Sequence, residues 1–160
     1  LDNTIIAFTA DHGEMLGDHG RWGKGDPYHP SVSVPLVVSG PKVGQQIVST
    51  LPTTILDLTA TFLEYANLKI PTEMDSRSLK PLLEGQTNVH RDYVFSGLKK
   101  WRLVYDGRYK LINNWQKDSL LFDMQTDPTE LNNLAFKLEY QDHLKRLNQQ
   151  LKTHGLNTKS

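Results

Sequence analysis

The sequence has 160 residues, 38% hydrophobic and 9% aromatic, enough to bury one core with a small satellite and too apolar for a disordered chain. Eighteen basic residues balance eighteen acidic ones, so no net field favours nucleic acid or an anionic membrane surface. There is no cysteine, which excludes a disulfide framework, a thiolate metal site and a cysteine nucleophile from this stretch; any metal would sit on oxygen and nitrogen.

No run approaches the roughly 20 apolar residues of a membrane span, and no basic segment followed by an apolar one opens the chain. The chain begins at Leu1 and runs straight into a strand, which reads as a cut or processed fragment. Thr4 to Thr9 is an apolar, β-branched run ending at Asp11-His12-Gly13. It predicts a strand buried on both faces, of the kind found in parallel α/β sheets. Gly13 to Pro30 is a long Gly- and Pro-containing loop, a length that in compact domains marks function or disorder. Val34-Pro35-Leu36-Val37-Val38 predicts a second strand.

After Gly40-Pro41, helical spacing of Ile55, Leu58, Thr59, Phe62, Leu63 and Ala66 predicts an amphipathic helix from Pro52 to Ala66. Ser78 to Gly85 reads as a short helix stopped by glycine, and composition changes at Gln86-Thr87-Asn88. Strands follow over Asp92 to Ser96, Trp101 to Tyr105, Tyr109 to Asn113 and Leu120 to Asp123, with Asp106-Gly107 as a hairpin signal. Trp101, Trp115, Tyr105 and Tyr109 read as core or cross-strand residues, and Asp127-Pro128-Thr129-Glu130 with Asn132-Asn133 as a capping turn. A terminal helix over Phe136 to His154 places Leu138, Leu144, Leu147 and Leu151 near one face and ends at Gly155.

Asp11 and His12 stand at a strand's C-terminal end, where open α/β sheets place ligands. A carboxylate and an imidazole make a partial metal shell if Gly13 lets the backbone turn there, since neighbouring side chains on a strand otherwise face opposite ways. Taken alone, the tripeptide also reads as a polar turn. Lys24, in Trp22-Gly23-Lys24-Gly25, gathers with His19, Arg21 and His29 in one loop. A compact ammonium suits a tetrahedral oxyanion, and histidine can protonate a leaving oxygen; a solvated basic loop is the plainer alternative.

The string Thr9-Ala10-Asp11-His12-Gly13-Glu14-Met15-Leu16-Gly17-Asp18-His19-Gly20, then Lys24, then Val34-Pro35-Leu36-Val37-Val38, resembles the sulfatase family of the alkaline phosphatase superfamily. Asp57-Leu58, Ser78-Leu79, Leu82-Leu83, Gly85, Asp127-Pro128, Glu130 and Asn133-Leu134 extend the resemblance over nearly the whole chain. The short spacing from His12 to Lys24 is similar to the choline-sulfatase and iduronate-sulfatase branch.

This resemblance implies an α/β fold: residues 1–88 as the C-terminal part of an alkaline-phosphatase-like α/β sandwich, and residues 89–160 as a small antiparallel sheet with a terminal helix. It implies Asp11 and His12 as ligands of Ca2+, with Mg2+ or Mn2+ as alternatives, Lys24 as the sulfate contact and His19 as a residue near the substrate. It also implies a sulfated small molecule or glycan as substrate, the N-terminal part of the same chain as partner, and a periplasmic or secreted location. The family's formylglycine nucleophile arises from a Cys/Ser-x-Pro-x-Arg motif, and this sequence has no such string. The expectation is an inactive fragment with weak or no metal binding of its own. Two rival readings stay open: a phosphonate or phosphodiester hydrolase of the same superfamily, and a non-catalytic module that binds sulfated ligands.

Overall fold

A computed structural model describes residues 2–155. The chain divides into two compact units, one formed by the residues through Asp11 with Val34–Asp92, the other by His12–Ser33 with the residues from Tyr93 on. Among the described residues no helix is long and apolar enough to cross a membrane.

In the first unit, β1 (Ile6–Thr9) pairs with β2 (Leu36–Ser39), Ile6 opposite Ser39 and Thr9 opposite Leu36. The pairing is antiparallel, and Ile6, Phe8 and Val37 are 46%, 65% and 60% exposed, which corrects the expectation of a parallel strand buried on both faces. An apolar, β-branched run signals a strand built to be covered. It carries no information on what covers it or on the direction of its neighbour.

Helix α2 (Asp57–Tyr65) starts at Asp57 rather than Pro52. Its buried positions are Asp57, Ala60 and Thr61, whereas Phe62 is 45% exposed, so the inner face is not the apolar stripe read from spacing. The reason is polar. Asp57 accepts hydrogen bonds from the Thr54 amide at 3.2 Å, the Arg77 amide at 2.8 Å and His90 Nε2 at 2.9 Å, and is chelated by the Arg91 guanidinium. Thr61 Oγ1 accepts from the Leu79 amide at 2.8 Å, just before α3 (Lys80–Leu83). Satisfied in this way, buried polar groups cost little, and they stitch the 75–91 segment onto α2.

Among the described residues the second unit holds four antiparallel strands in sequence order: β3 (Val94–Leu98), β4 (Trp101–Tyr105), β5 (Tyr109–Trp115) and β6 (Asp118–Asp123). The Asp106-Gly107 turn forms as predicted: Asp106 Oδ1 accepts from the amides of Arg108 (2.9 Å) and Tyr109 (2.6 Å), and Gly107 takes φ of +94°. Between β5 and β6 the turn residues Gln116 and Lys117 both have positive φ, 52° and 76°. A two-residue turn of that hand without Asn or Gly leaves no sequence signal, which is why both strands run past their predicted ends.

Alternation along the strands divides the core. Val104, Leu111 and Leu121 pack with Leu144, Leu147 and Leu151 of α4 (Gln141–Thr153), while Trp101, Leu103, Ile112 and Phe122 pack with Tyr28 and Val32 of the long loop. The sheet is therefore covered by the terminal helix on one face and by the candidate site loop on the other. Leu138, expected on the helix's apolar face, is 92% exposed because it lies in a 3-10 turn, Leu138–Tyr140, which breaks the helical phase before α4 begins.

Candidate functional site

Asp11 belongs to the first unit, shortly after β1; His12, His19 and Lys24 belong to the second. The loop from His12 to Ser33 is held by its own backbone. The Met15 amide donates to Gly23 O at 3.0 Å and the Gly17 amide to Arg21 O at 2.9 Å, while Gly23 N–H donates to Glu14 Oε1 at 2.5 Å. Met15 is fully buried beneath this brace.

Gly13 is needed for proximity, not for an unusual φ. A Cβ at that position would lie 1.9 Å from Pro30 O and 3.0 Å from Ser33 O, because the Gly13 amide donates to Ser31 O at 2.9 Å. The opening of the loop thus lies directly on its closing helical turn, α1 (His29–Val32).

The loop is pinned to its sheet at several points. Trp101 Nε1 donates to Gly25 O at 3.0 Å, and Arg21 pairs with Asp26 while its guanidinium lies 5.0 Å from the Trp115 ring centroid. His19, with φ of 55°, stacks on Tyr28, the ring centroids 3.9 Å apart. Glu130 Oε2 accepts from the His29 amide at 2.6 Å, and its other oxygen meets Lys110 Nζ at 2.5 Å, both side chains being buried.

His12 and Lys24 come together. His12 Nδ1 lies 2.7 Å from Gly13 O and Nε2 lies 2.6 Å from Lys24 Nζ. A carbonyl only accepts, so Nδ1 carries the hydrogen, and the Nε2 lone pair accepts from the ammonium. Lys24 is held by one N–H on an exposed part of the loop, with two further N–H donors to offer an anion.

The fit to a metal ion is poor on this chain alone. Among the described residues no group of three or more His, Asp or Glu side chains is gathered that could hold one. The Nε2 lone pair that would bind a cation is engaged by Lys24. Calcium takes six to eight oxygen ligands, so no chemical step is routed through an ion here.

Residues 17–156 match the family described as N-sulphoglucosamine sulphohydrolase, C-terminal. The chain belongs to this family. Sulfatases recur among its relatives: an arylsulfatase of Clostridium perfringens is 32% identical over 90% of the chain and 32% of its own length. A choline-sulfatase of Rhizobium meliloti is 33% identical over 84% of the chain and 28% of its own length. A protein solved in complex with its substrate D-glucosamine-2-N,6-O-disulfate superposes with a TM-score of 0.87 at 30% identity, over 96% of this chain and 34% of that one. A phosphonate monoester hydrolase from Silicibacter pomeroyi superposes with a TM-score of 0.84 at 32% identity, over 97% and 35%. The domain thus spans about a third of the length of the relatives it matches, and has the α/β architecture expected from its sequence.

Sequence reasoning assigned no role at the site to Glu130, Lys110 or Tyr28. Glu130 was read as part of a turn, and nothing in the order of residues links it to His29, 101 positions away.

Proposed function

We propose that the chain is the C-terminal part of a sulfuric ester hydrolase in which Lys24 contacts the sulfate group. The observation that carries this is the Lys24 ammonium, held 2.6 Å from His12 Nε2 by a loop braced on its own sheet, in a domain whose relatives include sulfatases. A preset cation offsets charge that builds on the sulfate oxygens as the S–O bond breaks, without reorganising at that moment. His19 protonates the leaving oxygen in this reading, or orients the group that does. A formylglycine nucleophile, absent from this sequence, comes from the rest of the longer protein. Asp11 enters as a ligand of a Ca2+ site completed there, with Mg2+ or Mn2+ as alternatives, and His12 joins it by exchanging Lys24 for the ion at Nε2. The 160-residue chain alone is then inactive and binds metal weakly or not at all.

Similarity to a phosphonate monoester hydrolase supports a second reading, since a lysine ammonium serves either tetrahedral anion. The test is the full-length protein assayed with an aryl sulfate and an aryl phosphonate monoester sharing one leaving group. Faster turnover of the sulfate supports the proposal, and faster turnover of the phosphonate replaces it with the second reading. A folded protein that turns over neither is a binding module instead.

A further inference from the structure

We infer that Glu130, neutralising the buried Lys110, is a positioning residue for the His12–Lys24 pair and acts through the first turn of α1. The inference rests on the reading above that Lys24 meets the substrate.

The path is continuous. Lys110 lies on β5, in the middle of the sheet, with its ammonium on Glu130 Oε1 at 2.5 Å. Glu130 Oε2 receives the His29 amide at 2.6 Å. That amide is the first of α1, a single turn whose leading N–H groups have no partner within the helix. Ser31 O of the same turn receives the Gly13 amide at 2.9 Å, and Pro30 O fills the space where a Cβ on Gly13 would stand. Gly13 O in turn sets the tautomer of His12, whose Nε2 receives Lys24.

Glu130 is well suited to this. It is 3% exposed and holds a φ of 58°, a left-handed conformation that non-glycine residues rarely adopt unless their surroundings impose it. A carboxylate that served only to neutralise Lys110 would not need its second oxygen on a loop amide. With both oxygens engaged, the charge that balances the sheet's buried lysine also fixes the turn against which the site loop closes.

The experiment compares His29→Pro with His29→Ala in the full-length protein. Both lose the imidazole, but only proline removes the N–H that Glu130 receives. Proline is tolerated at a first helical position, and Tyr28 before it already has the extended φ of −73° and ψ of 157° that a following proline favours. The expected result is a kcat/KM for the ester about tenfold to a hundredfold lower in the proline variant than in the alanine variant, with the proline variant melting lower because Glu130 Oε2 loses a donor, and both folded at the assay temperature. Hydrogen exchange at the Gly13 amide should speed up only in the proline variant, while exchange in β5 stays unchanged. If the two folded variants turn over ester and exchange Gly13 alike, Glu130 is only a core ion partner and the inference is overturned.

Should His29→Pro fail to fold, Glu130→Gln/Lys110→Met against Glu130→Leu/Lys110→Met decides on the same readouts. Both remove the buried charges together, and only the first keeps an oxygen for the His29 amide. If the unaltered protein hydrolyses neither ester, the functional reading fails, and Gly13 exchange still tests the positioning.

Discussion

Replacing Asp57 with asparagine should be among the most damaging conservative changes in the first unit. Asp57 is fully buried, and the His90 and Arg91 side chains that meet it are 3% and 17% exposed. Its two oxygens accept from the amides of Thr54 and Arg77, from His90 Nε2 and from Arg91. Asparagine keeps one acceptor oxygen, points an NH2 at a ring of donors, and leaves a buried guanidinium without its counter-charge. Breaking a buried pair from one side costs about 3–5 kcal/mol. With a urea slope of about 2 kcal/mol per M, the unfolding midpoint should fall by about 2 M.

The pH dependence checks the same reasoning. Burial alone would raise the Asp57 carboxyl, but hydrogen bonds from Arg91, His90, and the amides of Arg77 and Thr54 outweigh it and hold the group below its ordinary value of 3.8. Because the folded value is depressed, the unfolded chain takes up this proton first as pH falls. The stabilisation is therefore complete above about pH 5 and is lost as pH drops through 3.8 and below. The gap between the original protein and Asp57→Asn, followed by urea unfolding, should be widest at neutral pH and narrow in acid. A loss under about 1 kcal/mol, or a gap that ignores pH, would refute the account of Asp57 as the ionised clasp of this unit.

Other outcomes follow from the same geometry. Lys24→Met in the full-length protein should lower ester turnover by about a hundredfold or more, while thermal unfolding barely moves because Lys24 is exposed. Gly13→Ala should destabilise by about 1–3 kcal/mol, since the new methyl meets backbone atoms that cannot swing away; Gly25→Ala, with open space around it, should be neutral or slightly stabilising in the same melt. Leu147→Ala, from a fully buried site, should cost about 2–5 kcal/mol in urea unfolding, whereas Leu138→Ala, at 92% exposed, should cost less than about 0.5 kcal/mol.

Legibility in the sequence followed how local the physics was. The Asp106-Gly107 hairpin, strands β4, β5 and β6 and most of the terminal helix were readable because turn chemistry and alternation act between near neighbours. Helix α2 was placed, but its buried face was not, because that face is polar and is satisfied by Arg77, Leu79, His90 and Arg91 from later in the chain. Gly13 was noticed as a residue that frees the backbone; the structure shows that it makes room for Pro30 O.

For the candidate site, the types and spacing of Asp11, His12, His19 and Lys24 were visible because they lie in one short stretch of sequence. That His12 and Lys24 meet, which ring nitrogen is protonated, and that Glu130 holds the loop's last turn were decided only by tertiary structure. Residue order specifies which groups are available and what local backbone they favour. Distances between groups far apart in the chain, and hence tautomers and buried ion partners, exist only once the sheet brings β5, residue 130 and the 12–33 loop together.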